Sequence, residues 1–216
     1  ENEHTDQTVA PLELDPAGEV DIAAGDAPRV LIYHTHTTEA FQGETRTQDN
    51  SRNVVAVGDE IEKKLKAAGY GVVHDTTCHD YPSYNGSYDR SGETIQRNLE
   101  KYPGIQVTLD IHRDALGSSD NRIKPTVVIN GKKAAQIMVV SGCDDNGQLG
   151  FPDWEYNLRL AVRIQRSVSD LYPTLARPLH FCPKKYNEHM TRGSLLVEFG
   201  TDGSTLEEVL YSALED

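Results

Sequence analysis

The 216-residue sequence predicts an α/β fold: a mostly parallel central sheet with helices on both faces and an inserted β-hairpin. Three features predict it. Apolar runs of strand length alternate with helical patterns in the order β-α-β-α-β, which calls for parallel strands joined by right-handed crossovers. Two of those strands, the one ending at Tyr33 and the one ending at His112, lead into histidines at one sheet edge. An Asn130-Gly131 pair between two apolar runs marks a two-residue hairpin turn of type I′.

Taken in order, residues 1–28 read as an acidic, mostly disordered tail and 29–216 as the domain. Glu1, Glu3, Asp6, Glu13, Asp15, Glu19, Asp21 and Asp26 all precede the first basic residue, Arg29. Such a segment repels itself and has little to bury. The chain begins at Glu1 rather than at methionine, which leaves room for a removed signal or anchor upstream.

Val30 to Tyr33 suits a buried strand. His34 and His36 follow it, and alternation along a strand would put both imidazoles on one face. At the carboxyl end of such a strand that face looks into the ligand crevice. A polar loop from Phe41 to Asn50 leads to a helix capped by Asn50 or Ser51. Val54, Val57, Ile61, Leu65 and Ala68 recur there at helical spacing, and Gly69 stops it. Gly71 to His74 is a second short strand. A loop rich in Tyr, His and Asp, Asp75 to Tyr88, leads to a helix from Ser91 to Tyr102, stopped by Pro103-Gly104. Ile105 to His112 is the third strand. The hairpin pairs Thr126–Ile129 with Ala135–Val140. Trp154, Leu158, Ala161, Val162, Gln165 and Val168 line one face of a long helix ended by Tyr172-Pro173. Ser194 to Phe199 is a further strand, with Glu198 in an otherwise apolar run, and Ser204 to Glu215 is a capped terminal helix.

Composition narrows the function. A net charge of −13 argues against nucleic acid, whose phosphates need clustered Lys and Arg. No apolar run approaches the roughly 18–20 residues of a membrane span. Cys78, Cys143 and Cys182 are far apart and odd in number, so they make neither a C-x-x-C site nor a disulfide framework.

The chemistry lies in the strand ends. Zinc in a hydrolase takes three protein ligands, usually His and carboxylate, with the fourth position open. A nearby carboxylate then serves as general base. His34, His36 and Glu39 after the first strand, His112 at the end of the third and Glu198 in the last are candidates for one such edge. Hydrogen-bonded loop-entry histidines would give the same pattern. A buried carboxylate is costly unless paired, so Glu198 serves chemistry or pairs with Arg113 or Arg192. Arg113 is a candidate for stabilising an oxyanion, or a partner for Glu198 or Asp114. His74, Cys78 and His79 are candidates for a second metal site or for a solvated, substrate-facing loop. Tyr81, Tyr84 and Tyr88 suit stacking on a sugar or covering the core.

These residues carry a family resemblance. Tyr33-His34-Thr35-His36-Thr37-Thr38-Glu39, the stretch from His79 to Tyr88, Asp110-Ile111-His112-Arg113-Asp114-Ala115 and Leu196-Val197-Glu198-Phe199-Gly200 resemble, in order, the signatures of the stage II sporulation protein P family. The resemblance implies an amidase-like fold and a zinc-dependent N-acetylmuramoyl-L-alanine amidase that strips stem peptides from peptidoglycan during engulfment of the forespore. It also implies endopeptidase activity on cross-links, an upstream membrane anchor at the septal or engulfing membrane, and a partner lytic transglycosylase, stage II sporulation protein D. Roles carry over to His36 and His112 as zinc ligands and Glu198 as base. Where the wider amidase group has its carboxylate ligand, this chain has Asp49, Asn50 and Ser51. Glu39 is therefore the first choice for the third ligand, then His34, with Asp49 or Glu44 behind them. A wall-binding domain that acts through a partner hydrolase is the alternative. A zinc carboxypeptidase-like enzyme is a rival within the enzyme class, with Arg46, Arg90 or Arg113 for a terminal carboxylate.

Overall fold

The computed structural model describes residues 20 and 22–214. Strand β1 (Gly25–Tyr33) is followed by α1 (Val54–Ala67), β2 (Tyr70–His74), α2 (Ser87–Lys101) and β3 (Val107–Asp114). Two small hairpins come next, β4 (Gly117–Ser118) with β5 (Asn121–Arg122) and β6 (Thr126–Ile129) with β7 (Lys132–Ala135). The chain continues through β8 (Ile137–Gly142), α3 (Trp154–Leu171), β9 (His180–Cys182), a single 3-10 turn at Glu188–Met190, β10 (Ser194–Thr201) and α4 (Leu206–Leu214).

Six strands form the central sheet in the order β2-β1-β3-β10-β8-β9. The first four are mutually parallel, β8 runs antiparallel to β10, and β9 is parallel to β8. Alternation sorts the core. Val30 and Ile32 of β1 and Val107 and Ile111 of β3 meet Val54 and Val57 of α1 and Val209 of α4. Val139 and Leu195 meet Ala161 of α3 on that same side. Leu31 and Tyr33 point to the other face, where Ile95 of α2 covers them. Helices thus lie on both faces, and each buried aliphatic side chain stabilises by about 1.5–3 kcal/mol.

Several boundaries differ from the sequence reading for local reasons. Strand β1 starts at Gly25 because Gly25 and Pro28 pair with Tyr70 and Gly71 of β2. Val20 and Ile22 also pack on the core, so the expected boundary at 28/29 falls inside the fold. Residues 1–19 and 21, the rest of the expected tail, lie outside the described residues. Helix α1 is capped by Asn53, whose side chain accepts from the Val55 N–H at 2.9 Å, and not by Asn50 or Ser51. Ser51 instead donates to Asp49, and Asn50 Oδ1 accepts from the Asn53 amide. Helix α2 begins a turn earlier than expected, at Ser87. The Asn130-Gly131 turn has positive φ at both positions (51° and 81°), as its type requires. Its return strand, however, is Lys132–Ala135. The apolar run expected to complete the hairpin belongs to β8, a strand of the central sheet beside β10. Thr205 and Glu208 cap α4 reciprocally: the Thr205 N–H donates to Glu208 Oε2 at 3.0 Å and the Glu208 N–H to Thr205 Oγ1 at 3.1 Å. Among the described residues, no helix is long and apolar enough to cross a membrane.

Candidate active site

The carboxyl ends of β1, β3 and β10 open into one cavity of about 620 Å³, lined among others by His36, Glu39, Tyr84, Tyr88, His112 and Glu198. Register explains the central pair. Glu198 stands opposite His112 in the parallel β3–β10 ladder, so both side chains leave the same face. Pairing then breaks between Glu198 and Thr201, where Gly200 turns with φ 63°. A side chain on Gly200 would reach 2.8 Å from Ser204 Oγ, which explains a glycine directly after the Glu198-Phe199 pair.

His36 reaches the cavity by a different route. Strand β1 ends at Tyr33; His34 still keeps the parity of Val30 and Ile32, but the turn over Thr35–Thr38 takes His36 off it. The turn is pinned by buried carboxylates. Asp110 accepts from the Thr35 N–H (2.8 Å) and Thr35 Oγ1 (2.6 Å). Asp80 accepts from the Thr38 N–H (3.0 Å), Thr38 Oγ1 (2.7 Å) and Arg46 (2.7 Å). His36 consequently stacks on Tyr84 at 4.4 Å and stands edge-on to His112 at 5.2 Å. Its Nε2 is 3.1 Å from the Tyr84 hydroxyl.

His34 goes the other way. Its Nδ1 bonds the Ile111 carbonyl at 3.0 Å and its Nε2 lies 2.8 Å from His74 Nε2, on the α1 side of the sheet. The structure therefore separates the two histidines that the sequence expectation placed together, and His34 is no ligand for this cavity. Asp49 bonds Ser51 and Arg52, and Glu44 pairs with Arg52, both on an exposed loop. Glu39 is the carboxylate of the set that enters the cavity: its Oε2 is 3.3 Å from His112 Nδ1 and accepts from the Arg113 N–H at 3.2 Å.

Electrostatics distinguish the members. Burial works against a charged His112, but Asp110 and Glu39 on either side outweigh it and raise its pKa well above the ordinary value. Burial pushes Glu198 up to about 8, with Glu39 and Asp114 adding to the rise against His112 and Arg113. Burial and the neighbouring His112 lower His36. Among the described residues, three buried atoms here have no hydrogen-bond partner: His36 Nδ1, His112 Nε2 and Glu198 Oε2. His112 Nε2 is only 2.8 Å from Asp110 Oδ1, yet the contact lacks hydrogen-bond alignment, so it is an ion-pair contact.

The Arg113 guanidinium is engaged. It donates to the carbonyls of Ala40 (3.0 Å) and Thr45 (3.1 Å) and lies 3.9 Å from Glu39. An oxyanion contact would break those bonds, so this placement makes Arg113 a positioning residue for Glu39. His79 bonds the His34 carbonyl and Thr94, and Cys78 is exposed, so neither joins His74 in a metal cluster. Of the three tyrosines, Tyr84 and Tyr88 line the cavity, while Tyr81 is exposed. Asp80 and Arg46 organise the turn without having been singled out for it; buried Glu188, which accepts from the Gly142 N–H at 2.8 Å, was missed as well. An acid in an otherwise polar loop gives no periodic signal.

Two imidazoles and a carboxylate are a donor set suited to zinc, and the orphaned His36 and His112 nitrogens fit that use. Among the described residues, the triad of such donors within 4.8 Å of one another is a different one, Asp59, Glu62 and His74. His36, His112 and Glu39 would close on one ion only with side-chain movement.

The family described as Stage II sporulation protein P (SpoIIP) matches residues 1–214. The stage II sporulation protein P of Bacillus subtilis (strain 168) is 30% identical over 209 residues, covering 88% of this chain and 49% of that protein. The chain thus spans about half the length of that curated relative. Among solved structures, the N-acetylmuramoyl-L-alanine amidase AmiC2 of Nostoc punctiforme matches with a TM-score of 0.53 at 13% identity, covering 88% of this chain and 94% of that one. The CwlD amidase from Clostridioides difficile, solved in complex with the GerS lipoprotein, matches with a TM-score of 0.53 at 11% identity over 87% of this chain and 95% of that one. At those identities the likeness establishes the amidase fold alone.

Proposed function

The chain belongs to the stage II sporulation protein P family, and on that premise we propose that it is a zinc-dependent peptidoglycan hydrolase that cleaves the N-acetylmuramoyl-L-alanine amide during sporulation. The observation that carries the proposal is Glu198 beside His112, with a buried Oε2 that no group among the described residues satisfies. A purely structural carboxylate would be paired; an unpaired one facing a cavity suits proton transfer.

His36, His112 and Glu39 would hold the metal. When bound, zinc supplies Lewis-acid polarisation of the scissile carbonyl and acidifies water to a pKa of about 7. Donating its Nε2–H to the Tyr84 oxygen leaves His36 Nδ1 with its lone pair, the tautomer a ligand needs. Arg113 fixes Glu39 through its N–H and guanidinium, and Asp80 fixes the turn that carries both His36 and Glu39. Glu198 is placed to take a proton from the attacking water at Oε2 and to return it to the leaving amine nitrogen. Burial raises its proton affinity, and a bound cation would lower it again toward the range in which it can take and return a proton near neutral pH. Tyr84, held between the stacked His36 ring at 4.4 Å and Arg46 at 4.5 Å, presents its ring edge at the cavity mouth. The proposal extends to endopeptidase action on cross-links, to an upstream membrane anchor at the forespore septum, and to stage II sporulation protein D as partner.

The test is the chemistry of the product. Purified sacculi are digested with the protein and the newly exposed amino termini are labelled. New L-alanine amino termini are expected. New termini elsewhere in the stem without L-alanine would make the enzyme an endopeptidase only. Retention on sacculi with no new termini, in the presence of zinc, would make the domain a wall-binding module.

A further inference from the structure

The geometry points to a second metal site, built by Asp59, Glu62 and His74 on the opposite side of the sheet from the cavity, that takes a divalent cation of zinc type. It does not rest on the proposed activity.

Asp59 and Glu62 are one helical turn apart on α1, and His74 ends β2, the edge strand beside it. His74 Nδ1 is 3.1 Å from Asp59 Oδ1 and 3.7 Å from Glu62 Oε2. In a tetrahedral zinc site with metal–ligand distances of about 2.0–2.2 Å, neighbouring donor atoms stand about 3.3–3.6 Å apart. The two histidine–carboxylate separations are close to that spacing, and all three donor atoms lie within 4.8 Å of one another. Asp59 is largely open to water, which leaves the fourth position to solvent.

Hydrogen bonding fixes which nitrogen of His74 faces the carboxylates. The Ile111 carbonyl can only accept, so His34 Nδ1 carries a hydrogen. His34 is fully buried and touches no carboxylate, so it stays neutral and its Nε2 bears a lone pair. His74 must then donate its own Nε2–H across the 2.8 Å contact. His74 Nδ1 is left facing two carboxylate oxygens, an arrangement that a proton or a metal cation on Nδ1 must bridge. An imidazole whose second nitrogen is held by a buried hydrogen-bond partner is the usual form of a metal-ligating histidine. Glu62 is preset in the same way: Lys66 holds its Oε1 at 2.6 Å and leaves Oε2 toward His74. Lys63 is drawn aside to Glu60.

Gly58 is a second, independent sign that the histidine pair is built in. A Cβ there would stand 2.6 Å from His74 Nε2 and 3.0 Å from His34 Cε1. Glycine is unfavourable inside a helix, and here it makes room for both rings. The site would clamp α1 to the sheet edge, and through His34 it reaches the carbonyl directly before His112.

The full chain is dialysed against buffered Zn²⁺, and metal per chain is counted by mass spectrometry for the wild type, the Asp59→Asn/Glu62→Gln variant and His112→Ala. The double variant is expected to bind one zinc fewer than the wild type, while His112→Ala keeps the ion that the double variant loses. A Glu60→Gln control on the same helix is expected to bind as the wild type does. Cobalt-loaded His112→Ala should show a d–d absorption band that vanishes when Asp59→Asn/Glu62→Gln is added. Equal metal content in the wild type and the double variant would overturn the site, leaving His74 merely protonated between the two acids. Loss of metal in His112→Ala with the double variant still at the wild-type count would overturn it equally.

Discussion

Asp80→Asn tests how the active-site turn is held. The Asp80 side chain is fully buried and accepts from the Thr38 N–H, from Thr38 Oγ1, from Arg46 and, at 3.8 Å, from the Cys78 thiol. Asparagine keeps the shape and one carbonyl oxygen but puts an NH₂ where Oδ2 met Arg46. The Thr38 hydroxyl can rotate to accept, so its bond survives. The bond from the Thr38 N–H loses its charge, which costs about 1 kcal/mol, and the contact with partly exposed Arg46 is worth about 1 kcal/mol after solvent screening. The sum, about 2 kcal/mol, corresponds to a fall in Tm of roughly 4–8 °C for a domain of this size. Calorimetry with and without zinc measures it. Because the turn carries His36 and Glu39, zinc affinity should fall in parallel. An unchanged Tm with unchanged zinc affinity would refute the idea that Asp80 sets the turn.

Other predictions follow from single contacts. His112→Ala should lose one tightly bound zinc, read by mass spectrometry; retention of every equivalent would remove it from the ligand set. Gly58→Ala should destabilise by about 1–3 kcal/mol through overpacking against His74 and His34, against the gain usual for alanine in a helix; a higher Tm would contradict the close approach. Burial opposes ionisation of Glu208, but the Thr205 N–H and Lys124 outweigh it and lower its pKa from 4.5. A depressed carboxyl pKa contributes stability that is present above the unfolded value and lost as pH falls through the folded one. Glu208→Gln should therefore flatten the acid limb of the stability curve below about pH 4.5, with the wild type and variant converging at the lowest pH; parallel acid limbs would count against it.

The fold was legible where periodicity was unbroken. The β-α-β-α-β core and the helix from Trp154 follow from apolar spacing that tertiary contacts reinforce. His112 and Glu198 were legible because both lie within strands, where alternation holds and register pairs them. His36 was not, since the turn after His34 brings its ring to the cavity side, while His34 keeps the α1-side parity of Val30 and Ile32. Arg113 was read as a free cation beside a ligand, but two backbone carbonyls of the following loop recruit its guanidinium. The run from Ala135 to Val140 was read as one strand, although it divides at Gln136 between the hairpin and the central sheet. Asp59 and Glu62 look like a solvated helix face in one dimension; only the close approach of β2 gives them a histidine.

The central claim is that Glu198 moves the proton and is not itself a metal ligand. Glu198→Gln, assayed on purified sacculi with its zinc content measured on the same sample, tests it directly. General-base assistance is typically worth about 10²–10⁴ in rate, so the account predicts a loss of at least that range in L-alanine release, with zinc per chain equal to that of the wild type. Near-normal cleavage by the zinc-replete variant would contradict the account, and loss of zinc together with activity would make Glu198 a ligand instead.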